Sequence, residues 1–180
     1  MLKWITYILF HKIMGWRIEG KFDPAIKKSL VIVVPHTSWH DFYIGAFARK
    51  LINVDIHYVG KKELFQPPFG WYFRWMGGTP LNRSASENKV EAIVKVFNSK
   101  EEFRLAIAPE GTRAKVEKWK TGFYFIALNA QVPIIPVAFD YSRKVVRIGL
   151  PFFPTTDMDR DFRILKLFYK GVVGKVPEKT

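Results

Sequence analysis

Residues 35–41 read Pro-His-Thr-Ser-Trp-His-Asp and follow directly on the apolar run 30–34. A histidine at the end of such a run, with Asp41 five residues on in the first turn of a following helix, lets the carboxylate accept one imidazole N–H. The other nitrogen of His36 is then left basic. Such a pair removes a proton from a hydroxyl. The chain has no cysteine and no Gly-x-Ser-x-Gly, so that hydroxyl is expected to belong to a substrate. Spacing alone leaves other uses open. His36, His40 and Asp41 offer metal-ligand types with the two histidines one helical turn apart, although no HExxH accompanies them. Ser38 is a hydroxyl nucleophile by type or a helix N-cap, and Asp41 also suits the start of a helix for its charge alone.

A second segment, 109–113, reads Pro-Glu-Gly-Thr-Arg and follows another expected buried strand, 104–108. Its tight loop offers a carboxylate, an unhindered backbone, a hydroxyl and a guanidinium. Backbone N–H groups at such a turn, together with the fork of Arg113, suit a phosphate monoester. Residues 77–83, Gly-Gly-Thr-Pro-Leu-Asn-Arg, form another glycine turn, this one delivering Arg83. One basic loop is usually a solvated turn; two beside a His–Asp pair, all at strand ends, point to one site.

Strands and helices must bring these segments together. Residues 30–34 are β-branched and apolar without alternation, the pattern of a strand buried on both faces of a parallel sheet. Further strands are expected at 54–59, 79–82, 104–108, 132–139 and 145–149. Helices are expected at 38–51, 69–76, from a Ser86 cap through Phe97, at 122–130 and at 159–169, with a helical turn at 61–65. The alternation gives an α/β fold, one mixed, mostly parallel sheet flanked by helices, within a single domain of residues 1–180. In such folds chemistry sits beyond the C-terminal ends of strands, where His36 and Glu110 fall.

The chain of 180 residues is long enough for one core; 48% apolar and 25% charged residues are ordinary for a globular protein. The net charge of +13 and the 16% of aromatic residues are not. They point to an anionic membrane surface or to nucleic acid. Nucleic acid is the weaker reading, because the basic residues are scattered and its signature folds are absent. No apolar stretch reaches the roughly 18 to 20 residues that span a bilayer. Residues 2–14 contain Lys3, His11 and Lys12, and no small-residue cleavage site follows them. Residues 1–16 are therefore expected to form a short helix, docked on the core or lying in the membrane interface.

In motif order the chain resembles the 1-acylglycerol-3-phosphate (lysophosphatidate) acyltransferases of the wider glycerolipid acyltransferase superfamily. His36 and Asp41 match a His-x4-Asp motif, residues 78–83 a second block, 110–113 a third and 132–136 a fourth, so the resemblance covers about 31–139. It implies a glycerol-3-phosphate acyltransferase-like fold and transfer of a fatty acyl group from acyl-coenzyme A or acyl carrier protein to a lysophospholipid hydroxyl. It also implies that His36 is the base and Asp41 its orienter, with Arg83, Glu110 and Arg113 positioning the acceptor phosphate and the loops around it. Gly111 and Thr112 would shape the turn and Lys120 would add positive charge. No metal and no cofactor are expected, because a thioester is already activated. Another acceptor, such as a lyso-aminolipid, is the nearest alternative. The expected location is the cytoplasmic face of a membrane, attached by one interfacial helix.

Overall fold

The structure, a computed structural model, describes residues 2–81 and 89–180. Among them seven strands form one sheet. They are β1 (Arg17–Glu19), β2 (Lys28–Val34), β3 (His57–Lys61), β4 (Gly78–Leu81), β5 (Phe103–Ile107), β6 (Ile134–Asp140) and β7 (Val145–Ile148). Their order is β1-β7-β6-β2-β5-β3-β4, and every pair is parallel except β6–β7. The helices are α1 (Leu2–Tyr7), which continues as a π-helical stretch through Ile13, α2 (His40–Ile52), α3 (Gly70–Trp75), α4 (Lys89–Ser99), α5 (Gly122–Asn129) and α6 (Met158–Phe168). This is the expected mixed, mostly parallel α/β sheet.

The central strand explains its own composition. Leu30, Ile32 and Val34 enter a core layer shared with Phe97, Phe123, Ile126 and Leu165, while Val31 enters the opposite layer with Phe10, Ile44 and Val137. Side chains alternate across a strand, so burial on both faces requires apolar residues at consecutive positions. Each fully buried aliphatic side chain stabilises the fold by about 1.5–3 kcal/mol relative to exposure.

Three local expectations change. The three-residue strand β1 is too short to carry a periodic signal, and it forms because β7 offers an edge: Arg17, Ile18 and Glu19 lie opposite Val145, Val146 and Arg147. The helix after β2 begins at His40, with Trp39 at its cap position, so Ser38 is not the N-cap. Its hydroxyl instead lies 2.9 Å from His40 Nδ1. The N-terminal helix widens into π geometry at Ile8–Ile13. Phe10 is fully buried against α2 and Trp16, while Trp4, Ile5, Tyr7 and Ile13 face outward. Arg83 and the Ser86 cap lie outside the described residues.

Candidate active site

Parallel register builds the site. Ile32 lies opposite Ile107 and Val34 opposite Ala138. The chain leaving β2 at His36 therefore emerges beside Glu110, three residues past β5, and beside Tyr141, one residue past β6. A buried sheet holds these strand ends rigidly, so each side chain is placed by its register.

His36 Nδ1 lies 3.0 Å from Asp41 Oδ2, which also accepts the main-chain N–H of Ser38 at 3.0 Å. Asp41 Oδ1 accepts the Tyr141 hydroxyl at 2.7 Å. The carboxylate is buried and uses both oxygens, whereas the His36 side chain is 27% exposed and open to a substrate. A proton on Nδ1, donated to Asp41, leaves Nε2 with its lone pair. That arrangement can accept a proton from a hydroxyl at Nε2.

Glu110 is buried and ties its own loop to the one that carries His36. Its Oε2 accepts the His36 main-chain N–H at 2.7 Å. Burial raises its pKa above the ordinary 4.5, an effect opposed by that hydrogen bond and by the charge of His36. Gly111 turns the chain with φ of 67°, a conformation that glycine adopts without strain, and its N–H bonds the Ala108 carbonyl at 3.0 Å. The same glycine makes room for a cation. A Cβ placed there would lie 2.7 Å from Lys120 Nζ, so the Lys120 side chain lies across the turn. Lys120 is fixed there by its main-chain N–H, which bonds the Pro109 carbonyl at 2.8 Å.

Thr112 accepts the Ala114 N–H at 3.2 Å. Arg113 is exposed and forms no ion pair among the described residues. His36, Asp41, Glu110 and the Gly111–Lys120 turn thus meet at adjacent strand ends. His40 turns to Ser38, and among the described residues no three His, Asp or Glu side chains converge as a metal-ligand group.

Tyr141 was missed by the sequence reading. Its signal was available: it is the second residue past the strand expected at 132–139, hence at the same end of the sheet as His36 and Glu110. Burial and its bond to Asp41 push its hydroxyl pKa upward. The ring packs edge-on against Trp16 at 4.8 Å, and its main-chain N–H bonds the Val173 carbonyl at 2.9 Å.

A family model described as Acyltransferase matches residues 17–140, the span that carries the sheet from β1 through β6 and His36, Asp41, Glu110 and Lys120, and that ends one residue before Tyr141. The chain belongs to the acyltransferase family. Relatives of this acyltransferase-family chain include proteins named 1-acyl-sn-glycerol-3-phosphate acyltransferase. The one from Escherichia coli is 36% identical over 146 residues, 76% of this chain and 58% of the relative. The one from Streptococcus pneumoniae is 32% identical over 133 residues, 69% and 49%. The Pseudomonas aeruginosa protein is 26% identical over 160 residues, 85% and 59%. The matches span about half to three fifths of the length of these curated relatives.

Proposed function

We propose that this chain transfers a fatty acyl group from a thioester, of coenzyme A or acyl carrier protein, to the free hydroxyl of 1-acylglycerol-3-phosphate, giving phosphatidate. One observation carries the reading: His36 Nδ1 stands 3.0 Å from a buried carboxylate while its ring is open to substrate, in a chain of the acyltransferase family. The names of its relatives supply the acceptor.

In this reading His36 Nε2 takes the proton of the acceptor hydroxyl as that oxygen attacks the thioester carbonyl. Asp41 stabilises the resulting imidazolium. The tetrahedral adduct collapses with breakage of the C–S bond, and the leaving thiolate takes the proton back from His36. No cofactor enters, because a thioester needs only a base, stabilisation of the oxyanion and proximity. Arg113, Lys120 and the Gly111–Thr112 turn receive the acceptor phosphate, joined by Arg83. Glu110 holds the His36 main chain in place.

The substrate and product are lipids, so the chain works at an anionic membrane surface, on its cytoplasmic face. The net charge of +13 and the exposed rings of Trp4, Trp39, Phe69, Trp71 and Trp75 support attachment there. Among the described residues no helix is long and apolar enough to cross a membrane.

The test is to incubate purified protein with acyl-coenzyme A or acyl carrier protein and a panel of lysolipids, and to identify products by mass spectrometry. Phosphatidate formed only with 1-acylglycerol-3-phosphate supports the proposal. Acylation of a lyso-aminolipid instead reassigns the acceptor, and free fatty acid released without acceptor dependence makes the chain a thioester hydrolase.

A further inference from the structure

We propose that Tyr141 is a positioning residue that acts on His36 through Asp41. The inference rests on the reading of His36 as the base and adds a member that comes from a third strand. Asp41 is held at Oδ2 by the His36 imidazole and the Ser38 N–H. Those contacts fix one oxygen, but a carboxylate held at a single oxygen can still swing about its Cβ–Cγ bond. The Tyr141 hydroxyl at 2.7 Å from Oδ1 stops that rotation and keeps Oδ2 aimed at Nδ1.

The phenol is itself held from both ends of the chain, by Trp16 against its ring and by Val173 at its main-chain N–H. It also stands between the buried carboxylate and a cleft of ≈ 500 Å³ that it lines with His40, Tyr43, Ile44 and Lys175. The Asp41 side chain is only 2% exposed although open space lies nearby.

The hydroxyl also acts electrostatically. By donating to Oδ1 it draws off part of the carboxylate's negative charge, which weakens the pull of Asp41 on a proton at His36. Removal of the hydroxyl strengthens that pull. Other groups that bear on this balance are Glu110 from the β5 loop, His40 on α2 and Lys175 from the C-terminal segment, whose ammonium lies 5.9 Å from the Tyr141 ring centre.

The experiment compares Tyr141→Phe with Tyr124→Phe in steady-state acyl transfer. Tyr124 is a matched control, a buried tyrosine whose hydroxyl also donates to a carboxylate, Asp161, at 2.9 Å but away from the site. Tyr141→Phe is expected to lower kcat by about ten- to a hundredfold, the worth of one charge-assisted hydrogen bond, with KM little changed. The rising limb of its kcat/KM profile should move to higher pH, while Tyr124→Phe leaves the limb unmoved. On an Asp41→Asn background the Tyr141→Phe change should add almost nothing. Replacement of Tyr141 by 3-fluorotyrosine keeps the packing and makes the phenol a stronger donor, and should move the limb the opposite way, also when Tyr141→Phe itself folds poorly. An unmoved limb in both Tyr141 variants, or full additivity with Asp41→Asn, overturns the inference. His36→Ala is run beside them: if it stays active the base assignment fails, and if it is inactive while both Tyr141 variants behave as wild type, only the role of Tyr141 fails.

Discussion

Glu110 Oε2 receives the main-chain N–H of His36 at 2.7 Å, a bond between residues 74 positions apart. It ties the loop after β5 to the loop after β2 and fixes the base by its backbone, while Asp41 fixes it by its ring. Because burial raises the Glu110 pKa above 4.5, the folded chain keeps this proton to a higher pH than the unfolded chain does. The folded state then binds more protons across that window, so stability falls as pH rises from 4.5 through the raised value and then levels. Glu110→Gln keeps an acceptor for His36 and removes the titration. Its melting temperature, followed against pH, should gain on wild type across the mildly acidic range; two parallel curves would refute the burial argument.

His36→Ala is expected to remove transfer by about 10²- to 10⁴-fold without changing the melting temperature or vesicle binding, since the side chain is partly exposed and its loss leaves the core intact. Asp41→Asn should also be severe, because an amide facing Nδ1 no longer favours the basic nitrogen at Nε2. Single-turnover assays with the two variants check this. A fully active His36→Ala protein would sink the mechanism.

Arg113 is exposed and forms no ion pair among the described residues, so its replacement should not disturb folding. Arg113→Ala is expected to raise KM for 1-acylglycerol-3-phosphate, with slow acceptor-independent thioester hydrolysis unaffected and Arg113→Lys restoring only part of the loss. Equal damage to both activities would assign Arg113 to the donor.

The N-terminal helix separates attachment from folding by residue. Phe10→Ala should destabilise the fold by about 3–5 kcal/mol, read as a drop in melting temperature. Trp4→Ser with Ile13→Ser should leave melting unchanged and weaken binding to anionic vesicles, and added salt should weaken it further by screening the lysines. If the double variant binds as wild type does, the contact moves to Phe69, Trp71 and Trp75, whose rings are also exposed.

What could be read from the residues followed local signals. The unalternating run at 30–34 announced a strand buried on both faces, and His36 and Asp41 are close enough in sequence for their pairing to be foreseen. Glu110 was placed at the right end of the sheet, but its partner was not, because a main-chain N–H leaves no mark in a sequence. Tyr141 joins Asp41 across 100 positions, and only the pairing of β6 with β2 makes them neighbours. The strand β1 was invisible for the same reason: three residues have no period, and the edge that recruits them lies more than 120 positions away.

That edge has a consequence for how the molecule comes into being. Within this chain, Arg17–Glu19 precedes every other strand, yet its partner Val145–Ile148 is the last strand of the sheet. A ribosome delivering residues in order exposes Phe10 and Trp16, both buried in the finished fold, long before the partner of β1 exists. Pairings of such high sequence separation form slowly. During synthesis, therefore, these two side chains have no finished sheet to rest on until Val145–Ile148 has been made and paired.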